Sequence, residues 1–243
     1  MAVHPVRGIL PQVLVLCLMV VAGSVAAREY ARFDVVGDSD SRGVNPELET
    51  HYGWVHMLFG EGGGDLPEPS TRTLQSLWPG IEMRNSAVSG STAAQWQDDA
   101  LSPSLQDVID RGPDLVAVMI GGNDFLAYFL SDGEFSESEQ ELYRTHLTTI
   151  IDRLQAGNPR PDILLLNYYD LADNQSGWLQ LVPGYSIYAG LSQDVIVATN
   201  IIREVAEAKG CYHIDIYTEF MYHCYGIDIN GFSRHDEPDY VKR

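Results

Sequence analysis

Phe33-Asp34-Val35-Val36-Gly37-Asp38-Ser39 decides how this chain is read. A short apolar run followed by glycine, an acid and a hydroxyl residue predicts a strand that ends in a tight turn. In an open α/β sheet such a turn puts Ser39 at the carboxyl edge, where these folds place their ligands. Taken alone, the triplet is most simply an ordinary turn, with Asp and Ser bonding the local backbone. The ends of the later strands bear on which reading holds.

Further apolar runs occur at Ile81–Arg84, Leu115–Ile120, Ile163–Asn167 and Tyr212–Ile216. Several are continuous in Val, Ile and Leu, as parallel strands buried on both faces require. Helix signals lie between them. Asn45-Pro46 suits a helix start ahead of Leu48, Tyr52, Val55 and Leu58. Ser136-Glu137-Ser138-Glu139 fits a capping box before a stripe of Leu142, Leu147, Ile150, Ile151 and Leu154 that stops near Gly157. Ser192 opens another helix, with Val195, Ile202, Val205 and Ala206 facing inward and Gly210 just past its end. This alternation predicts an α/β domain whose parallel sheet is covered by helices on both faces. Gly60–Ser70 and the aromatic-rich Asp173–Tyr188 read as long loops that border a site or decorate the surface.

The 243 residues suit one domain, and a hydrophobic fraction of 45% is ample for its core. The first 27 residues read as a signal peptide. Arg7 precedes a mostly apolar stretch from Ile9 to Ala22, and Val25-Ala26-Ala27 offers small residues for cleavage. The stretch is short and broken by Pro11 and Gln12, which disfavours a membrane span. A secreted or extracytoplasmic domain over residues 28–243, with no stable membrane anchor after cleavage, is therefore expected. That domain carries 14 basic and 34 acidic side chains, a formal charge of −20, and its only lysines are Lys209 and Lys242. Such a surface repels nucleic acid and anionic lipid, so neither is an expected partner. Cys211 and Cys224 remain after cleavage, an even count that suggests a disulfide in an exported chain, with two free thiols as the alternative.

The strand ends form a set. The second strand runs into Asn85-Ser86-Ala87-Val88-Ser89-Gly90-Ser91-Thr92, where Gly90 permits close backbone approach and Ser91 or Thr92 suits a cap for a following helix. The third runs into Gly121-Gly122-Asn123-Asp124, with Asn123 offering an amide donor. In a doubly wound sheet these turns converge on Ser39. A serine nucleophile requires a base, and donors aimed at the oxyanion formed on its attack at a carbonyl. The N–H groups of Ser39 and Gly90 and the side chain of Asn123 would supply three such donors.

With these blocks in order, the chain resembles the SGNH (GDSL) hydrolase family. Gly37-Asp38-Ser39 matches its first block, Asn85–Thr92 with Gly90 its second, and Gly121-Gly122-Asn123-Asp124 its third, over about Phe33 to Phe220. The resemblance implies a flavodoxin-like three-layer αβα sandwich around a central parallel sheet of about five strands. It implies hydrolysis of esters or thioesters through an acyl-serine, with Ser39 as nucleophile and first oxyanion donor and Gly90 and Asn123 as the others. It implies no metal and no organic cofactor. Asp40 stands where the family often has an apolar residue.

The family's last block, Asp-x-x-His, occurs nowhere in the sequence. In that block the His is the base and the Asp orients it. His235 is the nearest C-terminal candidate, although Phe232 precedes it by three positions. The reading expects either a chain that stops upstream of that block or a divergent, inactive homologue. Other motifs are weaker. Gly60-Glu61-Gly62-Gly63-Gly64 lacks dinucleotide spacing and a phosphate-binding Lys, and Gly-x-Ser-x-Gly is absent. His51 and His56 lack zinc-helix spacing, and the acidic clusters Asp98-Asp99 and Glu134–Glu141 read as solvated helix faces or caps, with a weak calcium site as the alternative. Trp178, Tyr185 and Tyr188 either stack on a substrate or fill the core of their loop. A small-molecule or polysaccharide ester is the expected substrate.

Overall fold

The computed structural model of the chain describes residues 28–43, 54–60, 73–125, 135–169 and 191–221. Its strands are β1 (Arg32–Gly37), β2 (Glu82–Asn85), β3 (Leu115–Met119), β4 (Asp162–Leu166) and β5 (Tyr212–Ile214). They form one sheet in the order β2-β1-β3-β4-β5, every neighbouring pair parallel. Each of the five apolar runs read from the sequence is a strand, with ends shifted by one or two residues. This is the flavodoxin-like order, which reverses direction between β1 and β3.

The helices are α1 (Ser39–Arg42), α2 (Trp54–Phe59), α3 (Leu74–Leu77), α4 (Ser102–Arg111), α5 (Glu137–Gln155), α6 (Leu191–Lys209) and α7 (Ile216–Met221). Right-handed crossovers put helices on opposite faces when the chain steps through the sheet in opposite directions. The step from β1 to β2 therefore sends α2 and α3 to one face. The steps from β2 through β5 send α4, α5 and α6 to the other, where α4 packs on α5 and α5 on α6.

Burial follows position in the sheet. All five residues of β3 and the last five of β1 are buried, while Glu82, Tyr212 and Ile214 on the edge strands are exposed. Around the centre, Phe33, Val35, Trp96, Leu105, Leu147, Ile150, Ile163 and Ile202 form part of one core. In α5 the capping box is real, since the Glu139 carboxylate accepts the Ser136 N–H at 2.8 Å. Its inward stripe is Tyr143, Leu147, Ile150, Ile151 and Leu154. Leu142 is 52% exposed. The stripe runs at intervals of four and three, which selects Tyr143 over its neighbour. In α6 the inward positions Val195, Ile202, Val205 and Ala206 are buried as read, and Gly210 follows with a positive φ of 66°.

One helix start is displaced. No helix follows Ser91 and Thr92 directly; residues 93–97 form turns, and the helix begins at Ser102 with Pro103 in its first turn. Thr92 and Gln95 bond each other's backbone N–H in the manner of a cap, yet the hydroxyl of Ser91 turns inward to Gly37 O and Trp96 Nε1. The expected signal peptide, Asn45-Pro46, the two long loops apart from Gly60, Cys224, His51 and His235 lie outside the described residues. Among the described residues no helix is long and apolar enough to cross a membrane.

Candidate active site

β1 delivers Gly37, Asp38 and Ser39 to the carboxyl edge at the point where the strand order reverses. Gly37 is required by close packing: a Cβ there would lie 2.6 Å from Met119 O and against Ser41 Oγ. Asp38 caps the short helix α1, its Oδ1 accepting the Asp40 N–H at 3.1 Å. Ser39 is exposed at the first helical position. Its N–H is one of the donors a helix start leaves unsatisfied.

The second block lies against this turn. Val88 N donates to Gly37 O at 2.9 Å and Ser91 Oγ to the same oxygen at 3.2 Å. Between them Gly90 is exposed, with a φ of 77° that disfavours any side chain, and a Cβ there would meet nothing within 4 Å. Asn85 holds the segment's start, donating to Ser41 O at 2.8 Å and accepting the Ala87 N–H at 3.1 Å.

The third block closes over both. Residues 122–125 are helical. Asn123 Nδ2 donates to Ser91 O at 2.9 Å, which uses one of its two amide hydrogens. The Asp124 carboxylate accepts the Ala93 N–H, at 2.9 Å for Oδ2. Adjacent side chains thus pin the second block on either side of Thr92. Ser39, Gly90 and Asn123 are brought to one edge by this chain of hydrogen bonds. Neither Ser39 N nor Gly90 N is bonded among the described residues.

Three carboxyl groups surround the turn. Burial pushes Asp38 up to about 6, with the Tyr168 hydroxyl, donating to its Oδ2 at 2.6 Å, pulling it back. Burial likewise lifts Asp124 to about 6, against the Ala93 N–H. Asp40 is raised by burial too, and accepts from the Tyr169 hydroxyl at 3.3 Å. Asp124, Tyr168 and Tyr169 carry no assigned role in the sequence reading. Two tyrosines directly after a strand that ends at the ligand edge were the signal available for the second and third.

His213 lies on β5, three strand spacings from β1, or about 14 Å. Its Nε2 is 3.4 Å from Asn167 Nδ2, and burial lowers its pKa. Asn167 is fully buried and donates to Asp215 Oδ1 at 2.8 Å while accepting the Tyr217 N–H, so this cluster fixes the turn from β5 into α7. Cys211 is half-buried and without a disulfide among the described residues. No group of three metal-ligating side chains occurs among those residues.

A family model, the GDSL-like lipase/acylhydrolase family, matches residues 35–228. No curated protein matches the chain by sequence. Among solved structures, a catalytic mutant of an acetylxylan esterase from Geobacillus stearothermophilus is 18% identical, with a TM-score of 0.54 over 80% of this chain and 81% of the other. A putative GDSL-like lipase from Parabacteroides merdae gives 18%, 0.54, 80% and 81% for the same quantities. An α/β hydrolase enzyme from the metagenome of Lake Arreo, Spain, is 21% identical, with a TM-score of 0.53 over 87% and 88% of the two chains. At these identities the likeness is one of fold.

Proposed function

Because the chain belongs to the GDSL-like lipase/acylhydrolase family and is a carboxylic ester hydrolase by that membership, we propose that it acts through an acyl-serine on Ser39. The observation that carries this is the meeting of three separate strand ends at the β1/β3 reversal, tied by the bonds from Val88, Ser91 and Asn123. In this reading the substrate carbonyl sits over Ser39. The hydroxyl oxygen attacks the carbonyl carbon, and its proton passes to a base and then to the departing alcohol. Ser39 N–H, Gly90 N–H and the second Asn123 amide hydrogen receive the oxyanion. Water then hydrolyses the acyl-serine.

The proposed substrate is a lipid, short-chain acyl or acetylated carbohydrate ester, the last supported by the likeness to the acetylxylan esterase. Export is proposed from the leader, and a Cys211–Cys224 disulfide from the exported setting. His235 is the nearest C-terminal candidate for the base, which the proposal leaves unassigned. The absence of Asp-x-x-His favours a second reading, in which a catalytically impaired homologue binds an ester or carbohydrate without turning it over.

Hydrolysis of p-nitrophenyl acetate by the purified chain and by Ser39→Ala tests the proposal. Turnover that falls at least about a thousandfold in the variant supports Ser39. Undiminished turnover overturns it. Loss on His235→Ala assigns the base. Ester binding without turnover in the unaltered chain selects the second reading.

A further inference from the structure

The two residues that flank Ser39 are each held by one of two consecutive tyrosines. Tyr168 OH donates to Asp38 Oδ2 at 2.6 Å, and Tyr169 OH to Asp40 Oδ1 at 3.3 Å. Both tyrosines follow β4, which is separated from β1 by β3. Their side chains therefore span the end of β3 to reach the nucleophile turn. The path exists because residue 122 is glycine: a Cβ there would lie 2.9 Å from Tyr168 Cε1 and 3.2 Å from Asp38 Oδ2. Phe125 steadies the Tyr168 ring edge-to-face, with centroids 5.4 Å apart. The neighbouring Gly121 leaves room in the same way for Tyr143, whose hydroxyl donates to Ile120 O at 2.8 Å.

The Asp38 carboxylate is consequently saturated in a specific sense. One oxygen caps the Asp40 N–H and the other receives the phenol, so its plane, and with it the start of α1, is fixed from two directions. We propose that Tyr168, assisted more weakly by Tyr169, is a positioning residue that holds the Ser39 turn in its reactive geometry. The proposal rests on the reading of Ser39 as nucleophile for its kinetic consequence, but not for its structural one. Small displacements of a reacting group reduce rate far more than they reduce binding. The Tyr168 side chain is buried, and its phenol works through Asp38.

Tyr168→Phe keeps the ring that packs on Gly122 and Phe125 and removes only the donor. Amide hydrogen exchange is read at Asp40, Arg42 and Gly43, the last two bonded to Asp38 O and Ser39 O. Ester hydrolysis is measured alongside. The expected result is at least fivefold faster exchange at these amides, kcat lower by about tenfold, and KM within about twofold. Tyr169→Phe is expected to move both readouts in the same direction by less. Exchange at residues 40–43 that is unchanged in both variants overturns the clamp, whatever the activity does. If exchange quickens while Ser39→Ala retains full turnover, the clamp stands and the nucleophile assignment falls. A rise in KM with kcat unchanged also overturns the positioning role, because it places the tyrosine in substrate binding.

Discussion

In the amino-terminal half of β1 the Asp34 carboxylate is buried against Arg111, 2.8 Å away, whereas four residues further along Asp38 is buried as deeply with no ion-pair partner among the described residues. The contrast in ion pairing holds at the amino end for Asp34 and Asp162 but not for Asp114. At the amino end Asp162 pairs with Arg28, and Asp114 accepts the N–H groups of both Ala31 and Arg32. At the carboxyl end Asp38, Asp40 and Asp124 are met by two phenols and by backbone amides. A carboxylate beside an arginine secures the fold at modest net electrostatic cost. One held by neutral donors fixes a turn while leaving its charge at the ligand edge, where it titrates closer to neutrality.

The first way to break the comparison is Arg111→Met. The substitution leaves a buried carboxylate unopposed and also removes the guanidinium's bond to Glu82 O. It is expected to lower stability by about 3 kcal/mol, the range for removing one partner of a buried pair, as read by urea denaturation at neutral pH. Adding Asp34→Asn is expected to restore most of the loss. If the single substitution costs no more than a surface change, the two ends do not differ in the way described.

Asp124→Asn sharpens the other side. In the folded chain Asp124 keeps its proton to about pH 6, against an ordinary value of 3.8. Its contribution favours the fold below about pH 4 and is lost as pH rises through 6. The amide has no charge to desolvate, and its oxygen still accepts the Ala93 N–H. The variant is therefore expected to exceed the parent in stability by on the order of 2 kcal/mol at pH 8. Denaturation curves at pH 8 and pH 4 check this, since the difference should shrink toward zero at the lower pH. A variant that is less stable at both pH values would show that the carboxylate is a net stabilising element of the turn.

The architecture was legible because the central strands are largely buried, so they appear as mostly apolar runs, broken in β1 by the buried Asp34. Leu115–Met119 is the clearest case, and even the half-exposed edge strand Tyr212–Ile214 was found. Helix boundaries depended on local chemistry, and that chemistry could be satisfied in more than one way. Thr92 and Gln95 make the reciprocal bonds of a cap without a helix following, because Ser91 and Trp96 are drawn into the core. The Leu142 error was one of phase, on a helix with a long polar face. Ser39, Gly90 and Asn123, the candidate site residues, were read from position, each in a glycine-bearing turn after a strand. Tyr168 did not, because its partner Asp38 is 130 positions away and only the β2-β1-β3-β4-β5 order makes them neighbours.

Exposure, rather than charge pairing itself, should set what an ion pair contributes, and Arg28 isolates that variable. Its Nη1 lies 2.7 Å from Asp162, closer than Arg111 lies to Asp34, and its guanidinium rests over the Tyr30 ring at 5.4 Å. Yet the Arg28 side chain is 42% exposed, against 18% for Arg111. Water already stabilises both partners of the outer pair, and salt screens their attraction. Arg28→Ala is therefore expected to cost less than about 1 kcal/mol, and the cost should fall further in 0.5 M salt. Arg111→Met, with its partner fully buried, should keep most of its larger penalty in the same salt. Equal penalties for the two variants would mean that distance and not burial governs the amino end, and the contrast with Asp38, which has no ion-pair partner among the described residues, would then need a different physical basis.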